Sequence, residues 1–284
     1  MKKSILMLAA SVLFFSACGD PELDITGTTY EPKIVVEGYL YPGEPVTDIR
    51  IMRNFKLNTS IDTSTLFIDN AIVTINGEPL QYNNITRSYF NNSILVDYNK
   101  SYELKVSAVV DGTQLSTSSV TVVPSQGFNL LTKNLGVNRY GQDTPEIRFN
   151  PSPSSDFYAL SIIPDSASLS NFIYDNKFQP DIKIEDLIES FINFRFQYAY
   201  LLNVSTNSAD TISNKIQGYD TWFYSTYRVI IYAGDKNFRD YVITAKRVRE
   251  FDGNFHEPVM NFSGDGIGIF ASAVKDTAYF TIVP

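Results

Sequence analysis

Cys18 is the only cysteine of the chain, and it stands where a thiol can be acylated. Lys2 and Lys3 supply a basic start, Ile5 to Phe15 a largely apolar run, and Ser16 and Ala17 two small residues directly before it. That is the order of a lipoprotein signal peptide, whose peptidase must thread extended backbone past its active site. Phe15 departs from the leucine usual at its position. The expectation is cleavage after residue 17, a lipid-bearing Cys18 and a mature chain running to Pro284. A lone thiol has no partner for a disulfide or a tetrahedral metal site. Three acyl chains, at about 0.8 kcal/mol per buried methylene, would make release from a membrane negligible. Gly19, where inner-membrane lipoproteins carry Asp, argues by analogy for the outer membrane.

Catalytic chemistry has few footholds. His256 is the only histidine, so the mature chain cannot build a Cys-His pair, a two-histidine zinc site or a facial triad. A Ser-His-Asp triad would have to use His256, which lies in Phe255-His256-Glu257-Pro258, a loop string that suits a surface or packing role better. Paired carboxylates, the glycosidase device, stay open with 31 acidic residues, but nothing singles out a pair. Asp62, Asp69 and Asp97 do not follow the twelve-residue calcium-loop spacing. No catalytic residue, metal site or cofactor is assigned.

Binding chemistry is better represented. The span from Phe191 to Tyr232 holds Phe194, Phe196, Tyr198, Tyr200, Trp222, Phe223, Tyr224 and Tyr227. Alternating rings in a strand either pack on a core or form a flat surface for sugar, peptide or a partner protein. Trp222, beside a Gly218-Tyr219-Asp220-Thr221 turn, is the best candidate for an exposed platform, with Tyr198, Tyr200 and Tyr224 around it. Further on, Gly264, Gly266 and Gly268 alternate before Ile269 and Phe270. This resembles a phosphate loop only superficially, because no Lys-Ser/Thr pair and no helix follow. A bulge or tight turn with close backbone approach is the expectation.

These residues need a scaffold. With 44% hydrophobic and 14% aromatic content, 284 residues suffice for one large or two ordinary domains. Removing Lys2 and Lys3 from the 23 basic residues leaves 21 against 31 acidic ones, a formal charge of −10 that disfavours nucleic acid and anionic headgroups. After the signal peptide (1–17) and a tether (18–31), residues 32–124 read as short strands. Asn76-Gly77 and Asp111-Gly112 mark hairpin turns, the second between Tyr102 to Val109 and Gln114 to Val123. Pro124 to Gly127 is the expected boundary. Residues 128–284 open with strands at Ile147 to Phe149 and Phe157 to Ile163. Helices follow around Ile184 to Phe191, behind Asp181, and over Lys236 to Arg249. The expected fold is mainly β: two immunoglobulin- or fibronectin-like sandwiches, the second with inserted helices. A partly open barrel is the alternative for the first.

The string Val35-Val36-Glu37-Gly38-Tyr39-Leu40, the turn from Phe149 to Tyr158, the Tyr241 helix and the Gly264 to Phe270 strand together resemble the Bacteroidota lipoproteins grouped as domain of unknown function 4249. The resemblance spans nearly the whole mature chain. It implies a lipid-anchored, non-catalytic accessory to a TonB-dependent outer-membrane receptor in nutrient uptake, with a small-molecule, glycan or peptide ligand. It carries no catalytic residues over. By the same likeness Asp20 and Glu22 are similar to a surface-export signal. Asp165-Ser166-Ala167, Asp210-Thr211-Ile212 and Asp276-Thr277-Ala278 are similar to O-glycosylation triplets, with ordinary loop and strand chemistry as the alternative. A surface glycoside hydrolase or peptidase and an adhesin-like subunit are the competing readings.

Overall fold

The computed structural model describes residues 29–56, 60, 62–174, 183, 185, 200–202, 211–218, 221–245 and 257–284. Pro32–Phe55 and Ser60–Pro284 belong to one compact unit. Residues 29–31 and 56, outside that unit, have no regular secondary structure.

Strand β1 (Ile34–Leu40) buries every second residue, as a half-covered strand of Ile, Val and Leu should. It pairs antiparallel with β2 (Pro45–Arg53), Val36 opposite Ile51. Strand β3 (Ile72–Ile75) turns at Asn76-Gly77 into β4 (Glu78–Pro79), both turn residues having positive φ as a two-residue hairpin requires. The expected return arm is short. After Pro79 the chain sends Leu80 into the core and crosses to the other sheet as β5 (Gln81–Asn83), which pairs with β6 (Ser88–Leu95). Strands β7 (Ser101–Val110) and β8 (Thr113–Val122) form the hairpin read from the sequence, in register along their full length around Asp111-Gly112.

The second half contributes β9 (Asn129–Leu130), β10 (Asn134–Arg139), β11 (Glu146–Asn150), β12 (Phe157–Pro164), β13 (Tyr200–Leu202), β14 (Ile212–Lys215) and β15 (Thr226–Gly234). Helix α1 (Lys236–Ala245), strand β16 (Ser263–Gly264) and the eighteen-residue β17 (Gly266–Val283) complete it. Three open sheets result: β13-β12-β15-β17-β1-β2-β6-β5 with β10 on β17, then β14-β11-β9, and β16-β8-β7-β3-β4. The chain is mainly β, and the described residues form one α-helix and no barrel.

Hydrophobic clusters change near the expected boundary, Pro124 to Gly127, but the large sheet runs across it. One cluster draws on residues 34–123 with Phe270, and another on 128–282. Both depend on β17, whose first part pairs parallel with β1 and whose later part pairs antiparallel with β15. At about 3.3 Å per residue its eighteen residues are long enough to serve both. A third cluster sets Phe238 and Val242 of α1 on the outer face of the large sheet, against Phe157, Tyr232 and Ala271. Asp235 caps this helix, accepting the Phe238 N–H at 2.9 Å. Within it Phe238 and Val242 are buried and Tyr241 is half-buried. The expected extension to Arg249 falls outside the described residues, as does the helix around Ile184 to Phe191 except for residue 185.

Candidate functional surface

Of the described residues in the aromatic span, Trp222 is not the exposed platform expected of it. Trp222 is 6% exposed, its indole stacked on Phe172 at 6.4 Å and 15° beside the fully buried Phe223. The reason is local. The Tyr227 hydroxyl accepts the N–H groups of Trp222 and Phe223 and donates to the Phe223 carbonyl, drawing that loop inward. Burial, only partly countered by those N–H groups, pushes the Tyr227 phenol far above its ordinary range. Tyr224 is half-buried and edge-on to Tyr140 at 6.3 Å. The backbone of Tyr200 lies in β13, against Leu160, while Tyr198 lies outside the described residues, as do Cys18 and His256.

The triplets fall in three different settings. Ser166 is exposed in the loop after β12, next to Asp165, which pairs with Arg228. Thr211 is half-buried directly before β14. Thr277 lies within β17 opposite Ile230, and its N–H is held by the Asp276 carboxylate. That carboxylate also accepts the Leu130 N–H and meets the Lys133 ammonium at 2.9 Å. Burial opposes its ionisation, but Lys133 and the two N–H groups outweigh burial and hold the carboxyl below its usual range.

The alternating glycines are a packing device. Gly264 and Gly268 have φ of +82° and +108°. A Cβ on Gly264 would sit 2.4 Å from the Ser116 carbonyl oxygen, one on Gly266 2.1 Å from Thr117 Oγ1, and one on Gly268 2.1 Å from the Val36 carbonyl oxygen. Only glycine lets this segment lie against β8 on one side and β1 on the other. The contact is closed by Asp265, whose N–H donates to the Ser116 carbonyl while its carboxylate accepts the Ser116 N–H at 3.2 Å.

The wall so built bounds an open trough of about 460 Å³ across the outward face of β3, β7, β8 and β16. Register places Ile72, Ser107 and Ser116 in one row and Thr74, Lys105, Ser118 and Ser263 in the next. The inward partners Val73, Val106 and Leu115 are buried, so alternation turns the hydroxyl-bearing residues outward. Ser107 Oγ accepts from Gln114 Nε2 at 2.9 Å. Lys105 pairs with Glu103 at 2.9 Å, and Ile72 is 71% exposed at the far end. The sequence carried a signal for this surface in the Ser and Thr residues alternating with apolar ones, but nothing to show that β16 would rise beside them.

Two further polar clusters brace the body. Asp235 accepts from Thr121 Oγ1 at 2.5 Å, with Ser272 Oγ 2.8 Å from that hydroxyl, and from the N–H groups of Phe238, Ser272 and Val122. Burial raises its carboxyl above the ordinary range, and those donors offset burial only in part. Asn237 beside it donates to the carbonyls of Val120 and Phe270. On the outer face of the large sheet the Lys275 ammonium sits 3.6 Å from the Tyr41 ring centroid and pairs with Glu44 at 2.9 Å. Among the described residues no three His, Cys, Asp or Glu side chains converge as a metal site would need, and no helix is long and apolar enough to cross a membrane.

A search of curated proteins finds no match. Residues 20–277 match the family described as Domain of unknown function (DUF4249), a span that includes the glycine wall, the trough and the polar clusters. With nearly all of its length inside that match, the chain belongs to the DUF4249 family.

Proposed function

We propose that this chain is a lipoprotein anchored through Cys18 in the outer membrane, exposed at the cell surface, whose body is a non-catalytic binding module serving a TonB-dependent receptor in nutrient uptake. The observation that carries the binding half of this reading is the trough over β3, β7, β8 and β16, open to solvent, whose mainly apolar lining carries the hydroxyls of Thr74, Ser107, Ser116, Ser118 and Ser263. The anchor half rests on the basic, apolar and small residues leading to Cys18. The body itself is read as two sandwiches of immunoglobulin or fibronectin type sharing β17. Two tyrosines near strand starts favour that reading. Tyr102 accepts the Asp97 N–H at 2.8 Å, as Tyr227 accepts those of Trp222 and Phe223, and each thus ties its strand to the preceding turn.

The test is affinity purification of the tagged protein from detergent-solubilised envelopes, beside a Cys18→Ala control, with recovered proteins and the lipid on Cys18 identified by mass spectrometry. The expected result is a triacylated N-terminal cysteine and a TonB-dependent receptor recovered only with the wild type. An unmodified cysteine, or a wild-type membrane fraction that yields no receptor, overturns the proposal.

A further inference from the structure

We propose that the trough is a subsite for an uncharged, hydroxyl-rich ligand, of the chemical class of a short saccharide. This rests on the reading of the chain as a binding module and specifies what that module takes.

Dimensions come first. Four neighbouring strands at about 4.8 Å spacing give the trough a length of about 14 Å, and rows two residues apart lie about 7 Å from each other. Its volume, about 460 Å³, falls in the range of small-ligand sites, about 300 to 1,000 Å³. Charge comes second. The cation of the floor, Lys105, is already matched by Glu103 at 2.9 Å, so the floor offers no unmatched cation to select an anion. Hydrogen-bonding capacity comes third. A hydroxyl both donates and accepts, so Thr74, Ser107, Ser116, Ser118 and Ser263 match another set of hydroxyls without fixing which side gives the proton. Ile72 adds an apolar patch at one end for the C–H face of a sugar ring.

A peptide strand fits less well. Both edges of β7 are used by β3 and β8, and the outer edge of β8 meets β16 at Thr117 and Ser118 and Asp265 at Ser116. An extended peptide lying across the middle of this face therefore finds β7 and the centre of β8 already paired and would contact side chains there.

The experiment uses the full-length lipoprotein in detergent and saturation-transfer NMR with maltotriose, cellotriose, mannotriose and xylotriose, against trigalacturonate as the charged counterpart. Affinity for any trisaccharide that binds is then measured by calorimetry. Ser118→Leu fills the trough, and Thr74→Val removes one hydroxyl at nearly constant volume. At least one neutral trisaccharide binds the wild type, about tenfold more weakly in Ser118→Leu and about threefold more weakly in Thr74→Val, with thermal midpoints unchanged and trigalacturonate unbound. Binding that both variants leave intact, binding of trigalacturonate in preference, or no binding of any neutral trisaccharide overturns the assignment. Receptor recovery from envelopes is measured on the same proteins. Recovery that persists without saccharide binding sinks the saccharide assignment alone, whereas wild-type protein that recovers no receptor sinks the reading beneath it.

Discussion

Asp235 is where the two halves of the body are tied, and Asp235→Ala should show how strongly. The substitution strips an acceptor from the Thr121 hydroxyl, which is 1% exposed, and from the N–H groups of Phe238, Ser272 and Val122. A buried donor left unsatisfied costs about 1 to 3 kcal/mol, and a lost N-cap about 1 kcal/mol. Relief of the buried charge returns part of this, since burial is the largest influence on this carboxyl. A net loss of about 3 to 5 kcal/mol is expected, which at about 2 to 4 °C per kcal/mol lowers the thermal midpoint by roughly 6 to 20 °C. The assay is thermal unfolding followed by circular dichroism, with Asn237→Ala, which removes donors and no charge, as the comparison. The pH dependence adds a sign. A carboxyl whose pKa is raised on folding contributes stability that is fully present below the unfolded value, near 3.9, and is lost as pH rises through the folded value. The gap between wild type and Asp235→Ala should therefore widen on acidification from neutral pH. A midpoint that falls by less than about 2 °C, under 1 kcal/mol, would show that the four donors find other partners. A gap that narrows toward acid would show that hydrogen bonding, not burial, governs this carboxyl.

The opposite sign is expected at Asp276, whose carboxyl is held low by Lys133 and two N–H groups against the effect of burial. Its stability contribution is present above the unfolded value and lost as pH falls through the folded one, so Asp276→Asn should flatten the acid limb of urea midpoints measured below pH 5. Gly268→Ala would place a methyl group 2.1 Å from a backbone oxygen at φ +108°, and should leave little folded protein by gel filtration. Gly43→Ala, at φ +82° in open space, should cost only about 1 kcal/mol in denaturant midpoint. Trp222, the sole tryptophan, is a built-in probe: its emission should be blue-shifted and weakly quenched by iodide until the protein unfolds, and strong quenching in the native state would contradict its burial.

The residue order alone determined much of this. Period-two alternation identified β7 and β8, because a strand with one covered face must alternate. Asn76-Gly77 and Asp111-Gly112 located their turns, because two consecutive positive φ angles restrict residue choice severely. The alternating glycines marked a close approach. Local sequence did not say what the glycines approach, since Ser116 and Val36 lie about 150 and 230 residues away. Nor could it say that Trp222 turns inward, because the ring its indole stacks on, Phe172, lies fifty residues away in the chain. That the hydrophobic clusters on either side of residue 124 share one sheet was not legible, because a strand's own residues do not reveal which neighbours fill its two edges. The trough belongs to the same class: its hydroxyls are visible in the sequence as ordinary outward positions, and only the packing of β16 against β8 makes them the floor of a site.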